Sequence, residues 1–151
     1  MSDAVKVAAI VLGVVLGWVL VSCAVSLASG WAWLADFYAA RLPFTGKQWH
    51  AGSLGMRWPL LSYNNCTTIG ADAEGLFIKA RLLMRAGHPP LFVPWSDVTV
   101  EHGKFWIGRF VRLRFKRQPG IPVMMTEKMA LRLAEAAGDA WPEARTGESH
   151  G

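Results

Sequence analysis

The feature that most constrains this chain lies near its start. Between Lys6 and Asp36 no residue is charged. The core of that interval, VAAIVLGVVLGWVLVSCAVSLA at 7–28, exceeds the roughly 20 apolar residues a helix needs to cross hydrocarbon. A helix packed in a globular core is seldom apolar on every side over such a length. The stretch therefore predicts a transmembrane anchor over residues 1–30. Segment 31–47 follows, and Trp31, Trp33, Phe37 and Tyr38 are the rings expected at a headgroup interface. It reads as an interfacial aromatic linker.

Two other fates of the N-terminus compete with an uncleaved anchor. A cleavable signal peptide has a shorter apolar region and a small-residue cleavage site, and this stretch is too long for it. Leu20-Val21-Ser22-Cys23 resembles a bacterial lipoprotein processing site. Against that, the chain stays apolar from Cys23 to Leu34, where a lipoprotein turns into a polar tether. Orientation follows from the basic residues. Lys6 precedes the helix, offset by Asp3, whereas Arg41, Lys47 and Arg57 follow it, which favours a cytoplasmic C-terminal domain under the positive-inside rule. The two cysteines, Cys23 and Cys66, fall one in the anchor and one in the domain. A lone free thiol in the domain suits a reducing compartment.

From Gln48 onward the pattern changes to short segments broken by turn residues, which reads as mainly β. QWHAGSLGMRW (48–58) is the first expected strand, closed by Pro59. CTTIGA and EGLFIKARLL flank DAEG, a tight reversal by its Asp and Gly. In the second of these, Leu76, Ile78 and Leu82 oppose Phe77, Lys79 and Arg81, a pattern for one buried face. LFVPW and SDVTVEH are further short strands, and GKFWIG turns the chain into FVRLRFKR (110–117). There Val111, Leu113 and Phe115 alternate with Arg112, Arg114 and Lys116. GIPVMM is the last strand. TEKMALRLAEAAGDAW then predicts an amphipathic helix capped by Thr126, stopped at Pro142. The division expected is a β domain at 48–141 and a disordered tail at 142–151.

About seven short antiparallel strands closed by one C-terminal helix is the element order of pleckstrin-homology-like domains, built as a bent sheet or partly open barrel. TTIGADAEGLFIKARLLMRAGHPPLFVPWSDVTV resembles the central segment of small bacterial membrane-anchored proteins with such a PH/GRAM-like domain. The Pro-Trp-Ser-Asp step at 94–97 carries the most specific part of the likeness, which extends over residues 48–140. The resemblance implies a fold and a bacterial inner membrane, single-pass, with no activity attached.

GHPPLFVPWSDV (87–98) invites a catalytic reading through His88, Ser96 and Asp97. Ser96 and Asp97 are adjacent, so in a strand they point to opposite faces, and no Gly-x-Ser-x-Gly elbow is present. A structural reading accounts for more. Gly87 permits a turn, Pro89 and Pro90 hold it extended, and Pro94 bends the strand so that Trp95 enters the core. His50, His88, His102 and His150 are scattered with no metal-ligand spacing, and read as surface histidines. No phosphate loop or dinucleotide fingerprint occurs. No cofactor and no catalytic residue is expected.

Two features remain. Lys104, Arg109, Arg112, Arg114, Lys116 and Arg117 form a basic set centred on one strand, which would meet either anionic headgroups or simply solvent. Nucleic acid is a poorer fit, because Leu113 and Phe115 fall on the other face and leave no stacking platform. Along the anchor, Ala9, Gly13 and Gly17 make a small-residue ridge of the kind that lets helices approach in lipid. Ser22, Ser26 and Ser29 extend a weakly polar side toward a neighbour. The expected partners are the bilayer and a membrane protein or second copy met through the anchor. The expected function is a non-catalytic interaction or scaffolding module, or an accessory subunit of a larger membrane complex. Anionic-lipid sensing is the alternative, and an enzyme comes third.

Overall fold

The computed structural model describes residues 2–56, 58–105 and 108–142. Its first element, α1 (Asp3–Ser29), is long and apolar enough to cross a membrane, with a mean hydropathy of 2.6 in its best window. Val5 to Val21 leave every large apolar side chain exposed, so among the described residues nothing covers any side of this part. The three buried residues of α1 are all serines: Ser22, Ser26 and Ser29. Gly30 ends the helix at φ +89°, a conformation that favours glycine. A side chain there would also collide with Ile121, whose Cδ1 lies 2.7 Å from the position a Cβ would take. A second helix, α2 (Trp31–Tyr38), starts at once.

Seven strands follow: β1 (Lys47–Met56), β2 (Trp58–Ala71), β3 (Gly75–Ala80), β4 (Leu91–Pro94), β5 (Val98–Phe105), β6 (Gly108–Phe115) and β7 (Gln118–Thr126). They form one sheet in the order β4-β3-β2-β1-β7-β6-β5, every pairing antiparallel. Two meanders, β1–β4 and β5–β7, are thus paired within the sheet through Gly55↔Met124 and Met56↔Val123 among the described residues. Register shifts at Ala51/Ser53 and Gly55/Met56 interrupt the β1–β2 ladder, and such irregularities bend a strand. A helix α3 (Glu127–Ala137) packs on β2, β6 and β7 through buried Met129, Ala130, Leu133 and Ala137. The Thr126 side chain accepts from the Met129 amide at 3.3 Å and caps its start. The expected disordered tail lies outside the described residues from 143 onward, as do Trp106 and Ile107 of the expected turn.

On β6 the alternation holds, with Val111, Leu113 and Phe115 buried and Arg112 and Arg114 half-buried. Elsewhere the sequence reading needs correction. Pro59 does not close the first strand; the chain reverses earlier, and β2 takes up Pro59 near its start, where a missing N–H is tolerated. On β3, Phe77 is buried together with Leu76 and Ile78. The reason is Phe44, whose ring stacks on Phe77 at 4.6 Å and 4°, so the segment before β1 covers the outer face of β3. Leu82 lies beyond β3 in a 3-10 turn (Leu82–Met84) and is exposed, not inward.

The interfacial linker is corrected as well. Trp31, Leu34 and Tyr38, on one side of α2, are buried in the core of the β domain. Only Trp33 and Phe37, spaced i, i+4, present rings to the outside. Segment 31–47 is therefore partly a wall of the domain. Ala39 bridges Leu91, and the Ala40 amide donates to the Pro90 carbonyl at 2.8 Å, which fastens the segment to β4.

Candidate functional site at the junction of helix and domain

The loop between β3 and β4 meets the end of α1, and this junction concentrates the buried polar groups of the molecule. Ser22 Oγ donates to the Ala86 carbonyl at 2.7 Å, and Ser26 Oγ donates to the Gly87 carbonyl. Gly87 has φ +72°, and a Cβ there would lie 3.1 Å from Cys23 Cα. The loop backbone thus lies directly on the helix backbone. Only glycine combines that dihedral with that proximity.

Beneath this contact sits His88, 1% exposed. Its Nδ1 is 3.0 Å from the Ala86 carbonyl, which can only accept, so the proton of the neutral ring is on Nδ1. Nε2 then accepts from Tyr63 Oη at 2.9 Å. Tyr63 Oη in turn accepts from Ser29 Oγ at 2.7 Å. Trp31 closes the cluster: its ring stands edge-on to Tyr63 and His88, and its Nε1 donates to the Pro89 carbonyl at 2.8 Å. Burial holds the His88 pKa below the ordinary 6.5, against the pull of the Ala86 and Met84 carbonyls. The same burial raises the Tyr63 phenol, partly offset by Ser29. Both groups are held neutral by their burial.

The other end of the GHPPLFVPWSDV stretch packs into the domain through Trp95 and Asp97. Trp95 is buried, donates through Nε1 to the Asp72 carbonyl at 2.7 Å and stands edge-on to Trp141. Pro94 ends β4 and the 3-10 turn Trp95–Asp97 follows. Asp97 accepts from Tyr38 Oη at 3.1 Å and faces Arg117 Nε at 3.8 Å, pinning α2 to the β6–β7 hairpin. Ser96 is exposed. His88, Ser96 and Asp97 therefore serve three separate environments and share no hydrogen bond, so they do not assemble a triad.

The basic set does not act as one patch. Glu101, opposite Arg112 in the β5–β6 register, binds Arg114 Nε at 2.9 Å and approaches Arg112 at 4.0 Å. Arg112 also lies over the Phe110 ring at 5.7 Å. Arg117 faces Asp97. Lys104, Arg109 and Lys116 are exposed. Ala9 is exposed on α1, and a Cβ at Gly13 or Gly17 would meet nothing within 4 Å. Among the described residues nothing covers the ridge.

A further pair of cations lies beside the junction. A cleft of about 450 Å³ opens between the 40–44 segment, β3 and the loop, with Lys79 and Arg85 among its walls. Among the described residues, no group of His, Cys, Asp or Glu is arranged to hold a metal ion.

Sequence reasoning placed His88 on the surface and gave the three serines to a neighbouring helix; the structure turns them toward each other. The signal was present. Positions 22, 26 and 29 share one helix face by their spacing, and a Gly-His-Pro-Pro loop offers carbonyls without matching amides at its prolines. Comparison of the chain with known protein families, with curated proteins and with solved structures finds no match.

Proposed function

We propose that this protein is a single-pass membrane protein whose PH-like domain is bolted to the inner end of its anchor, as a non-catalytic interaction module or accessory subunit of a membrane complex. The observation that carries the reading is the junction itself. Ser22 and Ser26 donate to the Ala86 and Gly87 carbonyls, so the domain is fixed to the helix where a flexible tether would otherwise stand. A fixed domain presents its surfaces at one height and angle above a bilayer, which suits docking to a membrane partner better than capturing a diffusing substrate. The free part of α1, from Asp3 to Val21, measures about 28 Å at 1.5 Å per residue, close to the hydrocarbon thickness of roughly 30 Å. The PH-like assignment draws on the two meanders joined through β1 and β7 and on the C-terminal α3. A bacterial inner membrane with the domain in the cytoplasm follows from the resemblance and the basic residues after the helix.

The test has two parts. Intact mass of protein taken from native membranes should show an unprocessed chain; a species starting at Cys23 with added acyl mass would sink the anchor. Ser22→Leu with Ser26→Leu should then unlatch the domain while the helix stays embedded. A membrane protein that co-purifies in stoichiometric amount with the parent and not with this variant supports the reading. Identical recovery from both chains removes the role of the fixed geometry.

Anionic-lipid sensing is the second reading. On β6 the charge is partly neutralised within the domain, because Glu101 takes both Arg112 and Arg114. Lys79 and Arg85, beside the anchor, are better placed for it.

A further inference from the structure

We infer that the cleft holding Lys79 and Arg85 is a binding site for the headgroup of an anionic phospholipid drawn from the bilayer around the anchor. The inference deepens the lipid-sensing reading and rests on α1 being embedded.

Three observations converge on it. The first is charge. Of the residues that line the cleft, Lys79 and Arg85 are the charged ones, with no carboxylate opposite them. Neither makes an ion pair among the described residues, in contrast to Arg112, Arg114 and Arg117. Two uncompensated cations in one concavity attract a phosphate, and low-dielectric walls strengthen that attraction. Here the walls are Phe44 on Phe77, with Pro43, Pro89 and Pro90.

The second is position. Arg85 directly precedes Ala86, whose carbonyl takes the Ser22 hydroxyl. Ser22 is where α1 passes from exposed apolar surface to buried contact with the domain. If α1 crosses the bilayer, the hydrocarbon ends at that level, and Arg85 stands in the headgroup layer. A soluble ligand would have to reach a cleft that lipid headgroups already adjoin.

The third is the apolar surface beside it. Leu82, in the turn that leads to Arg85, is 78% exposed, and Leu42 on the cleft wall is 81% exposed. Isolated exposed leucines need no explanation. Leu42 lines the basic cleft and Leu82 precedes Arg85 by one short turn, so an acyl chain whose headgroup sits on Lys79 and Arg85 has exposed apolar side chains to meet. An anionic phospholipid supplies both parts: phosphate for the cations and chain for the leucines.

The experiment uses the full chain in nanodiscs of phosphatidylcholine with phosphatidylglycerol, transferred to mild detergent and measured by native mass spectrometry. Phosphatidylglycerol should be retained at one molecule per chain, in preference to phosphatidylcholine. Lys79→Gln with Arg85→Gln should lower retention about thirtyfold, as two surface charges warrant. Lys79→Arg with Arg85→Lys should keep it, and Lys104→Gln with Arg109→Gln should leave it unchanged. Equal retention by the parent and the Gln pair, at equal melting temperature, overturns the site. Displacement of the lipid by millimolar inorganic phosphate would assign the cleft to a soluble anion and overturn the lipid. Extraction of the parent chain from membranes by alkaline carbonate would instead overturn the anchor, an outcome distinct from a chain that stays embedded and retains no lipid.

Discussion

Tyr63 donates its phenolic proton to His88 Nε2 across 2.9 Å, and both rings are sealed beneath the end of α1. Charging the imidazole would turn Nε2 from acceptor to donor. The Tyr63 proton would then have to swing toward Ser29, and Ser29 toward the Ser26 carbonyl at 3.3 Å. Burial already holds the folded His88 pKa below 6.5. Below about 6.5 the unfolded chain therefore binds a proton that the folded chain refuses, so stability rises with pH in that window and falls as pH drops. The decline should continue until the folded pKa is reached, at no more than about 1.4 kcal/mol per pH unit. Thermal melts of the detergent-solubilised chain from pH 7.5 to 5.5 should show it, and His88→Gln should flatten the profile. A flat profile in the parent would mean that His88 is accessible to solvent protons in the native state.

Gly87 tests the junction without touching a polar group. An alanine there must hold φ near +72° with its Cβ 3.1 Å from Cys23 Cα. The strained dihedral alone costs on the order of 1–3 kcal/mol. Gly87→Ala should lower the unfolding free energy by at least the lower part of that range, measured by denaturant titration. Gly120→Ala, where a Cβ meets nothing within 4 Å, should change it little. Equal effects at both positions would show that the loop does not rest on the helix.

The parts of this architecture that the sequence made legible are those with local periodicity. The long apolar helix α1 announces itself by its uncharged run, β6 by alternation through Val111, Leu113 and Phe115, and α3 by Thr126 and its apolar stripe. What was not legible depends on contacts between distant segments. Phe77 looked outward because period 2 assumes one covered face, and Phe44 covers the other. Trp31 and Tyr38 looked interfacial because rings after a transmembrane helix usually are, whereas here the domain folds back onto them. His88 looked like a surface residue because nothing in its own neighbourhood names Ser22 or Tyr63 as partners. The Lys79–Arg85 pairing was equally hidden, since their common cleft exists only once the 40–44 segment lies across β3.

Trp95 carries the β4–β5 corner. It is buried against Trp141, and its indole reaches the Asp72 carbonyl at 2.7 Å. Trp95→Ala removes a large ring and strands that carbonyl, so it should cost about 3–5 kcal/mol. Ser96 beside it is exposed, and Ser96→Ala should stay within about 0.5 kcal/mol. Paired denaturant titrations read both. An unchanged midpoint for Trp95→Ala would refute the structural account of the Pro-Trp-Ser-Asp step.

Thr67 is fully buried on β2, and its hydroxyl has no hydrogen-bond partner among the described residues. Burying an unsatisfied hydroxyl costs on the order of 1–3 kcal/mol. Valine keeps the shape and removes the cost. Thr67→Val should therefore raise the melting temperature, whereas Thr67→Ala should lower it by opening a cavity. A loss with valine would reveal a polar partner for the hydroxyl in solution.

The β5–β6 ladder contains one attractive and one repulsive charge arrangement, and they make opposite predictions. Glu101 sits between Arg112 and Arg114, at 4.0 and 2.9 Å, and all three side chains are partly exposed, so solvent weakens each pair. Removing the carboxylate still does more than delete two weak bonds. It leaves two guanidinium groups side by side on one face of β6, with Arg112 Nε already buried and without a partner. Glu101→Gln should therefore cost about 1 kcal/mol. Near the other end of the hairpin, Lys104 and Arg109 are directly opposite and both exposed. Like charges in that position destabilise a strand pair, so Arg109→Glu should stabilise by about 0.5 kcal/mol. Screening acts on both, which gives a check that packing effects would not pass: raising salt from 0.05 to about 1 M should shrink the loss and the gain together. A Glu101→Gln loss that ignores salt would mean that it does not come from the charge of Glu101, and that the ion pairs with Arg112 and Arg114 do not hold this ladder.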